Sequence, residues 1–238
     1  MVIMGQKIDL RVFSEADSQA FQQCLLDNLS ALKQLLARPN FGQGASSIGA
    51  ELEMYLVDKK GRPVMLNKEV LERSGHPQLA LELNRYNVEF NHSPVSSSGT
   101  PFSQIEQEMV FALAHVTEQL QPEQASALPI GILPTLKRSD FGDHAMTDEA
   151  RFIALTQALQ QQREGMFCIK IEGDPPISLR AHDVTLEGAN TSMQVHFRVN
   201  PDYFADTFNA LQLITPVVVG MAANSPFMLG HKLWHETR

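Results

Sequence analysis

Ser47-Ile48-Gly49-Ala50-Glu51-Leu52-Glu53-Met54-Tyr55-Leu56-Val57-Asp58 is the stretch whose reading decides the fold. Side chains alternate between the two faces of a strand, so period-two patterning marks a β-strand with one face toward a core. Ile48, Ala50, Leu52, Met54 and Leu56 point one way. Gly49, Glu51, Glu53, Tyr55 and Val57 point the other way. Residues i and i+2 lie about 7 Å apart on one face, so Glu51 and Glu53 form a like-charged pair. Each carboxylate raises the pKa of its neighbour, and a divalent cation between or beside them relieves the repulsion. Oxygen ligands suit Mg²⁺ or Mn²⁺. Taken alone, Glu-x-Glu is a common pattern that more often marks the solvated face of an edge strand.

Upstream, Ser14 to Leu36 reads as a helix with Ser14 at its N-cap, Asp17 three residues later, and Phe21, Leu25, Leu29, Leu32 and Leu36 in one apolar stripe. Residues 1–46 read as a helical lead-in within a single domain spanning 1–238. Lys59-Lys60-Gly61-Arg62-Pro63 is a turn, and Leu79 to Asn91 is a second strand region. Ser93 to Gly99 is a polar loop. Pro101 opens a helix to about Leu120, with Ile105, Met109, Ala112 and Val116 inward. Leu128 to Leu133 reads as a short strand ending at Pro134. Thr147 to Glu164 reads as a helix, Phe167 to Ile171 as a strand, and Ser178 to Leu186 as an irregular extended arm. Thr191 to Val199 alternates again, with Met193, Val195, Phe197 and Val199 inward and Gln194, His196 and Arg198 opposite. A helix begins at Asn200-Pro201 and runs, bent at Pro216, to about Ala223. There is no βαβ rhythm and no Gly-rich phosphate loop, which points to α+β with a largely antiparallel sheet flanked by helices.

Within Leu79 to Asn91, Glu82 and Glu89 have opposite parity. One uninterrupted strand cannot aim both at one site, so a bulge or tight turn at Asn84 to Asn87 is required. His196 shares its face with Gln194 and Arg198; imidazole completes a mixed oxygen–nitrogen site, and a guanidinium anchors carboxylate or phosphate. Arg238 is a candidate phosphate clamp.

The chain has 238 residues, 19 Lys and Arg against 27 Asp and Glu, and a net charge of −8. This balance argues against nucleic acid as a partner. Cys24 and Cys168 are too few for a disulfide framework and read as packing residues in a reduced, cytoplasmic protein. There is no signal-peptide pattern. The apolar run Leu211 to Ala223, interrupted by Gln212, Thr215 and Pro216, falls short of a span and reads as a buried helix, so no membrane partner is expected.

The order of the blocks is informative. Gly49-Ala50-Glu51-Leu52-Glu53 is followed by Glu82 and Glu89, then Gly131-Ile132-Leu133-Pro134-Thr135-Leu136. Glu187-Gly188-Ala189-Asn190-Thr191-Ser192-Met193-Gln194-Val195-His196 comes next, then Asn224-Ser225-Pro226-Phe227 and Glu236-Thr237-Arg238. Over Ser47 to Arg238 the chain resembles the bacterial glutamate–cysteine ligases of the second type, which are carboxylate–amine ligases of the glutamine-synthetase-like superfamily. The resemblance implies a sheet whose inner face holds ATP and Mg²⁺ or Mn²⁺. It implies Glu51, Glu53, Glu82, Glu89 and His196 as metal ligands, and Gln194, Arg198 and the Glu51–Glu53 pair on the nucleotide side. Arg238 and His196 stand nearest the reaction. Shorter members carry a second histidine beside His196, where this chain has Val195 and Phe197-Arg198.

The implied reaction, a step of glutathione biosynthesis, joins the γ-carboxylate of glutamate to the amine of cysteine through an acyl phosphate. Its partners are small molecules, and a homo-oligomer is compatible with it. Two other readings suit the same residues: a non-catalytic nucleotide-binding fragment or pseudoenzyme, and a phosphotransferase acting on a guanidino or amino compound. Because related ligases are longer, the resemblance further implies that these residues are the N-terminal part of an active site.

Overall fold

The computed structural model describes residues 8–9, 12–162, 166–235 and 237. Its elements in chain order are α1 (Glu15–Leu36), β1 (Ser47–Val57), α2 (Asn67–Ser74), β2 (Leu79–Leu81), β3 (Asn87–Asn91), β4 (Val95–Ser96), α3 (Pro101–Gln119) and β5 (Ser126–Leu128). They continue with α4 (Ala150–Gln162), β6 (Phe167–Ile171), β7 (Ile177–Ala181), β8 (Met193–Phe197), α5 (Phe204–Ala222), β9 (Phe227–Met228) and β10 (His231–Lys232). The fold is α+β, and every strand pairing in it is antiparallel.

β1 is the spine of the main sheet. β3 and β4 pair along one edge of it, and β8 and β5 share the other. Leu52, Met54 and Leu56 pack with Val70 of α2, Val88 and Phe90 of β3, and Ala112 and Val116 of α3. The opposite face of β1 is not uniformly polar. Tyr55 and Val57 join a second core with Tyr86, Ile132, Leu133, Leu136, Ile177 and Leu179. β1 is thus buried on both faces at its C-terminal end, and the second core stops at Tyr55. Glu53 is the first residue beyond it.

Turn chemistry builds the hairpin that sequence parity demands. β2 and β3 pair with Ala80 opposite Glu89 and Leu81 opposite Val88, and the Asn87 amide closes the turn onto the Asn84 carbonyl at 2.9 Å. Extending that register sets position 82 against 87, on the face of Glu89. The fold-back converts opposite parity into a shared face. The turn is buttressed from outside the sheet: Asn67 Nδ2 reaches the Glu82 and Asn84 carbonyls and donates to Thr147 Oγ1 at 2.8 Å, and Thr147 Oγ1 donates to the Glu82 carbonyl at 2.6 Å. Asn84, itself fully buried, donates to Tyr86 Oη and to the Thr185 carbonyl, each at 2.8 Å. Gly188 closes over it. A Cβ at Gly188 would stand 2.8 Å from the Asn84 amide and 2.9 Å from Leu83 Cδ2. Gly188→Ala is therefore expected to cost about 1–3 kcal/mol by overpacking, read as a lower urea midpoint. An unchanged midpoint would refute that contact.

Several sequence expectations are corrected. Leu128 to Leu133 is not a strand; pairing with β1 ends at Leu128, and the following segment turns away to build the second core. Ser178 to Leu186 is irregular only in part: Ser178 to Ala181 belong to β7, which pairs with β6 across the Asp174-Pro175-Pro176 break, and 182–186 are bends and turns. The polar loop Ser93 to Gly99 contains β4, which pairs with Ser47 and Ile48. Cys24 and Cys168 are both exposed rather than packed. Met193, Val195 and Phe197 share a sheet face with Leu52, Ala50 and Ile48 but are 44–48% exposed, because β8 lies on the sheet edge beyond the cover of α3. The stripe of α1 is likewise exposed, although Ser14 and Asp17 make the expected capping box. α5 is not a buried helix, since none of its described residues is buried. With the preceding 3-10 turn it forms a helical run Pro201–Ala222 of 22 residues, long and apolar enough by length and composition to cross a bilayer; counting only Leu211 to Ala223 understates it.

Candidate functional site

Where the second core ends, the β1 face turns acidic. Glu53 stands directly opposite Glu89 across the β1–β3 pair. Opposed like charges destabilise a sheet unless something neutralises them. Glu82, carried on the folded-back turn, completes the group. One carboxylate oxygen from each of Glu53, Glu82 and Glu89 lies within 4.8 Å of the others.

Neutral donors hold each of the three. Ser192 N and Oγ donate to Glu53 Oε2 at 2.6 and 3.3 Å. Asn91 Nδ2 donates to Glu89 Oε1 at 2.7 Å, and Leu83 N to Glu82 Oε2 at 3.1 Å. The Ser192 contact exists because β8 and β5 leave a gap along β1 at Glu53.

The electrostatics follow from this crowding. Burial, then the charges of Glu89 and Glu53, push the Glu82 carboxyl up to about 8. Burial and the charges of Glu89 and Glu187 raise Glu53 against the lowering bonds from Ser192. Burial and Glu89 raise Glu51, opposed by His196. No cationic side chain contributes to the shifts of Glu53 or Glu82.

The donor set fits a hard divalent cation. Opposed oxygens bonded at about 2.1–2.5 Å stand roughly 4–5 Å apart, in keeping with the 4.8 Å span of the three carboxylates. Asn87 gives a second sign of an unfilled requirement. It lies on the same face, two residues from Glu89, is 2% exposed, and neither Oδ1 nor Nδ2 has a hydrogen-bond partner. A buried amide left unpaired costs about 1–3 kcal/mol, so such groups call for a partner.

The remaining candidates are arranged along the β1–β8 edge. Glu51 is buried and stands opposite Gln194; it pairs with His196, whose Nε2 is 3.5 Å from Glu51 Oε1. The structure therefore divides the expected carboxylates, with Glu53, Glu82 and Glu89 in one group and Glu51 with His196 beside it. The His196 side chain is 47% exposed and Gln194 is exposed. Arg198 lies farther out, opposite Ser47, to whose carbonyl its amide bonds at 3.0 Å. Arg238 lies outside the described residues.

Two groups at the site escape sequence reasoning. Glu187 bears on Glu53 through charge, from a 3-10 turn that brings no alternation signal. Asn87 is unremarkable by type and gains meaning only through burial without partners. The separate sequence blocks also meet in space. Thr191 N donates to the Gly131 carbonyl at 2.9 Å, Gly131 abuts Asn224 and Ser225, and Ser225 is fully buried.

These features define an antiparallel α+β protein with a carboxylate-lined site on one sheet face. No curated protein matches the chain. Its sequence does match the profile of glutamate-cysteine ligase family 2 over residues 47–238, from the first residue of β1 onward, and the chain belongs to that family. It is accordingly a glutamate–cysteine ligase-like protein.

Proposed function

We propose that the chain serves an ATP- and divalent-cation-dependent carboxylate–amine ligase joining the γ-carboxylate of glutamate to the α-amine of cysteine. The observation that carries this is the convergence of Glu53, Glu82 and Glu89 on the sheet face of a family member. In the proposed reaction a carboxylate oxygen attacks the γ-phosphorus of ATP and ADP leaves. The amine then displaces phosphate from the acyl phosphate, forming the amide and losing one proton. The chemistry that Mg²⁺ or Mn²⁺ supplies when bound is neutralisation of charge on the phosphate oxygens.

The protein's own residues supply the positioning. Glu53, Glu82 and Glu89 are the ligands of the proposed ion. Ser192, Asn91 and the Leu83 amide hold them in place, so little reorganisation is needed on binding. His196, 3.5 Å from Glu51 Oε1, is proposed to face the substrate. Partners in this reading are small molecules, and the free thiols of Cys24 and Cys168 suit a reducing, cytoplasmic setting.

The test is ADP release from Mg–ATP with glutamate and a panel of amines. Amine-dependent ADP release with γ-glutamyl amide formation is expected. ATP binding without turnover would favour the non-catalytic reading. A stable phosphorylated amine or guanidine would favour a phosphotransferase.

A further inference from the structure

The carboxylate cluster lies midway along the β1 face, and a separate cavity of about 320 Å³ opens near the strand's N-terminal end. Arg198, Asn200, Tyr203 and Thr207 line it on one side and the Gly42–Ser46 loop on the other. That volume is at the lower end of the range for small-molecule sites. The loop precedes residue 47, where the family match begins, so this wall belongs to the chain's lead-in. Arg198 crosses the loop: its Nη2 donates to the Gln43 carbonyl at 3.3 Å. The close approach depends on Gly44, where a Cβ would stand 3.2 Å from Nη2.

The cavity's charge is unusual for a protein of net charge −8, because no lining residue is acidic. Arg198 makes no ion pair among the described residues, and its guanidinium has five donors, of which one is used here. Asn200 caps the 3-10 turn that leads into α5, accepting from the Asp202 amide at 3.0 Å. That turn opens the helical run along the cavity wall, with Asp202 following the cap. Arg198 lies beside Ser47, six residues along the strand from Glu53, or roughly 20 Å. An anion at Arg198 is thus a different group from any phosphate at the carboxylate cluster.

We propose that this cavity is an anion subsite in which Arg198 holds the carboxylate or phosphate end of a small molecule, at a distance from the acidic cluster. It goes beyond the ligase reading and does not depend on it: an occupant held this far from the cluster is a separate ligand from the reacting carboxylate. A guanidinium clamps either oxyanion through paired N–H donors.

The test is calorimetric titration of L-glutamate and, separately, inorganic phosphate into the cation-free protein. Saturable binding of either is expected, at least tenfold weaker in Arg198→Gln and partly recovered in Arg198→Lys. Glutamate binding alone identifies a carboxylate as the occupant, and phosphate binding alone identifies a phosphate. Arg198 is exposed, so these variants keep the fold, checked by circular dichroism. Equal affinity in Arg198→Gln, or no saturable binding to the unmodified chain, overturns the proposal. The Glu82→Gln/Glu89→Gln variant keeps anion binding even if it loses cations, so failure here and failure of the cluster assignment are read separately.

Discussion

Replacing Glu82 and Glu89 together by glutamine is expected to raise the melting temperature of the cation-free chain at pH 8 and to abolish its response to Mg²⁺. The two effects have one cause. Burial beside Glu89 and Glu53 lifts the Glu82 carboxyl from an ordinary 4.5 to about 8. Below about pH 4.5 folded and unfolded chains both hold this proton, and its contribution to stability is fully present. As pH rises toward 8 the unfolded chain releases the proton while the folded chain retains it, so that contribution is lost progressively. At pH 8 the native state bears the cost of crowded carboxylates, and glutamine removes it. The gain is on the order of 2 kcal/mol, or about 4–8 °C for a chain of this size. A cation does the same for the unmodified chain by mass action, raising its melting temperature with concentration. Scanning calorimetry with and without 10 mM Mg²⁺, an order-of-magnitude choice for a weak site, checks both parts. A double variant that melts lower and still responds to Mg²⁺ would show that the cluster is neither repulsive nor the cation site.

The second large effect is in pH. Glu82 must give up its proton to act as a ligand, so each cation bound between pH 6 and 7 displaces close to one proton, falling to about half a proton near pH 8. Apparent Mn²⁺ affinity is expected to climb about tenfold per pH unit over that range and to level off above about pH 8. Calorimetry in two buffers of different ionisation enthalpy reads the released proton directly. An affinity flat from pH 6 to 8, with no proton release, would mean that the ion binds elsewhere.

Much of this site is legible in the sequence because strand periodicity is a strong signal. Alternation over Ser47 to Val57 places β1 as observed and puts Glu51 and Glu53 on one face. The parity of Glu82 and Glu89 demands a turn between them, and the turn at Asn84 to Asn87 supplies it. Pro101 and the spacing of Ile105, Ala112 and Val116 likewise place α3 and its buried side.

What sequence could not show depends on neighbours. Alternation marks two faces but not what covers them, so it cannot tell that Tyr55 is core whereas Met193, Val195 and Phe197 stand half open. It brings Glu51 and Glu53 together by spacing, yet cross-strand register pairs Glu53 with Glu89 and leaves Glu51 to His196. Apolar runs announce burial, but the chain described leaves α1 and α5 uncovered. Asn87 carries no motif at all, and its unpaired amide appears only once the β1–β3 pair is formed.

The most direct measurement compares Mn²⁺ binding, followed by the loss of the free-ion electron paramagnetic resonance signal at pH 8, in the unmodified chain, Glu53→Gln and Glu51→Gln. With Glu53, Glu82 and Glu89 as the ligands, Glu53→Gln weakens binding at least 100-fold, the upper end of what loss of a ligand-shell group costs, while Glu51→Gln stays within a few-fold of the unmodified chain. Equal binding by Glu53→Gln and the unmodified chain, or a larger loss in Glu51→Gln, would contradict the assignment of the site.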